Sequence, residues 1–411
     1  MGGQSNGTPE LGIVYIALTC TYDGHAMHMR SFTVEALSSR PFFNVINYGA
    51  KADGRTDISQ ALTNAWKDGC ASNVGSTVLI PKGTYFLGPV LLVGPCRNQI
   101  ELRVEGTVVA PMDPAAFKSV NWVGFRYING LTISGGGTFD GKGQIAWTKN
   151  DCHLNSHCQQ YPVNLRFDFL NNTLVKDITS LNSKNFHMNV YSCQGMTMQN
   201  LKIIAPGNSP NTDGIHIGVS SFITITHSVI GTGDDCISLG PGSRNITITN
   251  VFCGPGHGIS VGSLGKYPNE EDVVGITVRD CILSGTSNGV RIKTWPSSPP
   301  GLASDLTFEN IIMKNVYNPV VVDQEYCPYS KCDKKGPSLV KLKNIKLKNI
   351  RGTSSSNVVA NIVGSRVVPC ELEIGDINLL YYGKDGSGAT SICSNAKVVL
   401  SGRQNPPTCK F

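Results

Sequence analysis

The chain has 411 residues, 40% of them hydrophobic and only 16% charged, with 45 glycines and a formal net charge of +6. So few charges and so much glycine exclude a helical bundle and a disordered chain, and point to a β-rich, turn-rich protein. The mild positive excess suits an acidic partner; with no RNA-recognition signature, zinc finger or Lys/Arg run beside it, nucleic acid is not expected.

Residues 1–40 are irregular. "LGIVYIALTC" (11–20) has signal-peptide length, yet Glu10 precedes it and no Lys or Arg does, so it makes an atypical export signal. No apolar run reaches about 18 residues, so no membrane span is expected. Fourteen cysteines and sequons at Asn6, Asn171 and Asn245 fit a secreted, extracellular chain, with Asn171 and Asn245 as glycosylation candidates. The best metal-like cluster is Cys152, His153, His157 and Cys158. A Cys152–Cys158 disulfide explains it better than zinc, because no second ligand pair lies nearby.

Residues 41–411 form a single domain in this reading. "TDISQALTNAWKDGC" (56–70) is the only convincing helix, with Thr56 or Asp57 as N-cap and Ile58, Ala61, Leu62, Ala65 and Trp66 on one face. Everything after it is short strands, and they repeat. A polar residue stands third in each of "VKDI", "MQNL", "ITHS", "ITNV", "VRDC", "FENI", "LKNI" and "IGDI", at 177, 200, 227, 250, 280, 310, 344 and 376. A second series runs in phase: "GIHIG" (214–218), "CISLG" (236–240), "GISVG" (258–262), "GVRIK" (289–293) and "PVVVD" (319–323). Two short strands at this bounded spacing predict an all-β fold, a right-handed parallel β-helix whose stacked coils share one core. The helix at 56–70 would cap its open N-terminal end.

The residues before the second-series strands are Asp213, Asp235, His257 and Asn288. Stacked coils lie about 4.8 Å apart, so Asp213, Asp235 and His257 are expected on consecutive coils at one sheet edge, with Asp234 beside them. Arg291 and Lys293 share parity and point outward, opposite to Val290 and Ile292. Clustered acids with cations alongside are how pKa values are pushed apart for acid–base work. Two acids about 6.5–9.5 Å apart suit inverting glycoside hydrolysis, and the two cations suit an anionic sugar. The residues themselves therefore point to hydrolysis of a uronic-acid polymer. No GKS/T phosphate loop or serine nucleophile elbow competes.

"NTDGIHIG" (211–218), "GTGDDCISLG" (231–240), "CGPGHGISVGSLG" (253–265) and "RIKTW" (291–295) resemble, in order, the four motif regions of glycoside hydrolase family 28, the polygalacturonases. The resemblance covers about residues 42–411 and is greatest to the plant branch and its pollen exopolygalacturonases. It implies cleavage of α-1,4-galacturonosidic bonds in pectin with inversion, exo action favoured over endo. Asp234 would be the general acid, Asp213 and Asp235 would together activate the water, and His257 would orient the acid. Arg291 and Lys293 would hold the galacturonate at the cleavage point; Tyr326 in "DQEY" and Asn211 would be further substrate contacts. The family also implies a Cys236–Cys253 disulfide, with Cys327–Cys332 and Cys393–Cys409 by analogy, and no metal or organic cofactor. The expected partner is an acidic polysaccharide, homogalacturonan of the cell wall, met by a monomer. Three alternatives stand beside this: a non-catalytic pectin-binding wall protein, a calcium-dependent pectate lyase, and a rhamnogalacturonan hydrolase within the family.

Overall fold

The computed structural model describes residues 40–152, 155, 158–328, 332–383 and 388–409. The apolar run 11–20, the Asn6 sequon and both histidines of the 152–158 loop lie outside the described residues. Strands pair in parallel into two sheets, of 20 and 11 strands among the described residues, and together they form a parallel β-helix. One coil shows how the sequence builds it. Ile215–Gly218 belongs to the smaller sheet, and the chain then enters the longer strand Ser221–Gly231. Ser221–Thr226 pairs with the strand Gln194–Gln199, whereas Val229–Gly231 pairs with Lys202–Ile204. Between the two halves His227 adopts φ 49°, and the strand turns a corner there.

All eight polar third positions are such corners, with φ between 49° and 57°. Asp and Asn enter the left-handed region cheaply because their short side chains bond locally. Here they also bond to one another: Asn200 donates to Asp177 (3.1 Å) and Asn310 to Asp280 (3.0 Å). The alignment by spacing fails at one step. "LKNIKLKNI" holds the motif twice, and it is Asn349, 39 residues on, that donates to Asn310 (2.8 Å). Asn344 instead donates to Asp305 (2.6 Å), so it belongs to a different corner.

Inside, Ile215, Ile237, Ile259 and Val290 form one row, and Ile217, Leu239, Val261 and Ile292 the next, all buried. Each such side chain contributes about 1.5–3 kcal/mol by leaving water. The period-2 alternation that buries these rows turns their neighbours outward, and this positions the site.

Helix α1 spans Ser59–Cys70 and buries Ala61, Leu62, Ala65 and Trp66 against the strands Phe42–Asn44, Ser76–Ile80 and Val90–Val93. It starts later than the sequence pattern indicates, because Asp53–Asp57 is drawn into a strand paired with Thr84–Phe86. Neither Thr56 nor Asp57 is the N-cap; Ile58 holds that place, without a side-chain bond. The Asp57 carboxylate accepts from the Ser59 and Gly88 amides (2.9 Å each), so it ties the helix start to the next coil. A second helix, α2, spans Gln144–Lys149 and is too short to register as a periodicity. Disulfides join Cys70–Cys96, Cys152–Cys158, Cys236–Cys253, Cys327–Cys332 and Cys393–Cys409. The first of these had no signal in the sequence. Asn171 and Asn245 are both exposed. Among the described residues no helix is long and apolar enough to cross a membrane.

Candidate active site

On the outer face of the smaller sheet, register neighbours form a column: His216, Ser238, Ser260 and Arg291. The carboxyl groups of Asp213 and Asp235, just before two of these strands, are buried against it. The Ser238 hydroxyl donates to Asp213 Oδ2 and the Ser260 hydroxyl to Asp235 Oδ1, both at 2.8 Å. Arg291 Nη2 donates to Asp235 Oδ1 (2.6 Å) and Lys293 Nζ to Oδ2 (3.0 Å). Burial pushes the Asp235 pKa up, but Lys293 and Arg291 outweigh it and hold the group down at about 2. Asp213 goes the other way. Burial first, then the charges of Asp234 and Asp235, raise its pKa well above the usual carboxylate value, and Ser238 and Lys293 offset this only in part. Two stacked carboxyl groups thus have opposite proton affinities.

Asp234 faces the outside. Its side chain is 23% exposed, against 4% for Asp235. Oδ1 lies 2.9 Å from His257 Nδ1 and accepts the Asp235 amide (2.8 Å), while the His257 amide donates to the Asp234 carbonyl (2.8 Å). Gly233 makes this turn possible: a Cβ there would stand 2.0 Å from the Ser209 carbonyl oxygen and 2.6 Å from its nitrogen. The buried Cys236–Cys253 bond links the Asp235 coil to the segment leading into His257.

The sequence-predicted residues therefore divide. Asp213, Asp234, Asp235, His257, Arg291 and Lys293 come together. Tyr326 joins at the edge, its ring 5.4 Å from Lys293 Nζ and edge-on to Trp295 at 5.9 Å. Asn211 has another partner: its Oδ1 accepts from Asn150 (3.0 Å), and it lines an adjoining polar cavity of about 260 Å³ with Arg166, Asn185 and Asn189. Sequence reasoning missed His216, Ser238, Ser260 and Trp295. The parity that turns Arg291 outward turns His216, Ser238 and Ser260 outward, but serines in an alternating strand look like ordinary surface; Trp295 lies just past the strand end at Thr294.

Asp234, Asp235 and His257 offer ligand atoms within 4.8 Å of one another, the only metal-like grouping among the described residues, so the nearest oxygens of Asp234 and Asp235 lie closer than the spacing of about 6.5–9.5 Å expected from the sequence. A divalent ion there would have to compete with Lys293 and Arg291, which already occupy both Asp235 oxygens. The donor set therefore fits a cation-paired carboxylate better than a metal centre.

Fold and site together define the class: a parallel β-helix with a cluster of acids and a histidine on the outer face of its smaller sheet, flanked by two cations. Residues 70–402 match the model of glycosyl hydrolases family 28, and the chain belongs to that family. It is 57% identical over 371 residues to an exopolygalacturonase of Platanus acerifolia, covering 90% of this chain and 98% of that protein. It is 51% identical to an exopolygalacturonase of Oenothera organensis, covering 86% and 98%. Among solved structures, an endo-xylogalacturonan hydrolase of Aspergillus tubingensis superposes with a TM-score of 0.75 at 26% identity, covering 86% of this chain and 98% of that one.

Proposed function

We propose that the chain is a polygalacturonase that hydrolyses the α-1,4-galacturonosidic bonds of polygalacturonate with inversion, releasing galacturonate from chain ends. The observation that carries this is the separation of three neighbouring carboxyl groups into a half-buried one, Asp234, a cation-locked anion, Asp235, and a buried group of high proton affinity, Asp213. Asp234 is the general acid: it reaches the leaving oxygen, with His257 holding its Oδ1. Asp213 and Asp235 hold the attacking water from the far side. Asp213 is the better proton acceptor, because a carboxylate held at about 2 is a weak base.

Arg291 and Lys293 lie beside the acids with donors to spare, and a galacturonate carboxylate is the anion they suit. Tyr326 forms the wall behind Lys293. Asn211 and Arg166, lining the adjoining cavity, take a neighbouring sugar. Exo action is supported by the names of the 57% and 51% identical plant relatives. Five disulfides among the described residues support an extracellular place of action, at the cell wall. Asp213, Asp234, Asp235, His257, Arg291 and Lys293 all come from one chain, which supports a monomer as the working unit.

The test is product analysis on polygalacturonic acid. Galacturonate as the only early product is expected. A ladder of oligomers would replace exo with endo action, products carrying a new C4=C5 double bond would mean a lyase, and retention of substrate without turnover would mean a binding protein.

A further inference from the structure

Asp213 and Asp235 are built into the same local pattern. Each accepts a hydrogen bond from the serine of the next coil, Ser238 and Ser260 respectively. Each serine oxygen in turn meets a nitrogen from its own column, His216 Nδ1 at 2.8 Å and Arg291 Nε at 3.0 Å. The patterns differ in charge. Arg291 is a permanent cation, whereas burial pushes the His216 imidazole down to about 4 and leaves it neutral under ordinary conditions. Ser238 has one proton to give and gives it to Asp213, so a neutral His216 must present Nδ1–H to the serine. The ring packs against Phe186, 5.1 Å away between centroids.

We propose that His216 and Ser238 are positioning residues for Asp213: His216 Nδ1–H orients the Ser238 hydroxyl, which fixes the Asp213 carboxylate in the rotamer that takes a proton from the attacking water. The inference rests on the reading of Asp213 as a base. The groups facing Asp213 are Asp234, Asp235 and Lys293; those facing His216 are Asp235, Lys293 and Arg166. Neutral substitutions at His216 and Ser238 therefore leave every charge in the site in place. A hydrogen bond to an ionised carboxylate favours the ionised form, so losing it raises the proton affinity of Asp213. Since activity needs Asp213 ionised, the acid limb of the kcat/KM profile moves to higher pH, by about one unit, the equivalent of a tenfold change in proton binding.

The experiment is the pH profile of kcat and KM on polygalacturonate for Ser238→Ala, Ser238→Thr, His216→Leu, His216→Asn and Asp213→Asn. The acid limb is expected to rise in Ser238→Ala and His216→Leu, with little change in KM, and to return in Ser238→Thr and His216→Asn, which keep a hydroxyl or an N–H in place. Loss of rate with an unmoved limb, or a rise in KM alone, overturns the proposal. If Ser238→Ala does not fold, the contrast between His216→Leu and His216→Asn decides it. An active Asp213→Asn sinks the base reading itself; an inactive Asp213→Asn with unmoved limbs elsewhere sinks only the positioning string.

Discussion

Asp235 is worth more as a charge than as a base. Its folded pKa of about 2 lies below the ordinary value of about 3.9, so its stabilising contribution is complete above about pH 4 and is lost as pH falls toward 2. Asp213 has the opposite sign: its folded pKa is raised, so it favours the fold at low pH and opposes it as pH climbs through that raised value. Asp213→Asn is therefore expected to melt higher than the parent at neutral pH, with the gain vanishing near pH 3, while activity is lost; calorimetry across pH checks both. Arg291→Ala or Lys293→Ala leaves a buried carboxylate short of a partner, which costs about 3–5 kcal/mol when such a pair is broken. Both variants should show raised KM and lowered melting temperature together, and an unchanged KM in both would refute the anion clamp. Asp234→Asn keeps the shape of the site and removes the proton. Its kcat should fall about 10²–10⁴-fold, with oligogalacturonate binding by calorimetry retained.

At the level of the coil, the corners carry a separate prediction. Asn310 sits at φ 55°, donates to Asp280 and accepts from Asn349. Asn310→Ala loses both bonds and leaves in the left-handed region a residue with no polar side chain to offset its cost of about 1–2 kcal/mol. Denaturant titration should show at least that loss, and Asn310→Gly a smaller one. These corners were legible in the sequence because a single Asp, Asn or His flanked by apolar residues is a local signal. The inward rows and the outward Arg291 and Lys293 were legible because a strand has period two. Asn349 was not, since two identical "LKNI" stretches five residues apart are distinguished only by which corner each one stacks upon. Thr56 and Asp57, the end of the strand Asp53–Asp57, were misassigned to a helix start for a related reason: the strand's pairing partner, Thr84–Phe86, is remote in sequence. Ser238 and Ser260 became visible only when the register placed each beneath a carboxylate.

Over the whole molecule, the site's geometry depends on coils keeping their stacking, because Asp213, Asp235, Ser260 and Arg291 all come from different turns of the solenoid. The Cys236–Cys253 bond closes a 17-residue separation within this stack, and a loop of that size is worth about 3 kcal/mol. A Cys236→Ser/Cys253→Ser double variant should lose about that much stability and also lose activity below its melting range, since it frees the segment leading to His257. In the proposed reaction Asp234 protonates the leaving oxygen from one face while Asp213 and Asp235 deliver water from the other, which inverts the configuration. The direct measurement is the proton NMR spectrum of galacturonate in the first moments of polygalacturonate digestion, before mutarotation. The β-anomer should appear first; initial appearance of the α-anomer would rule out inversion and with it these assignments.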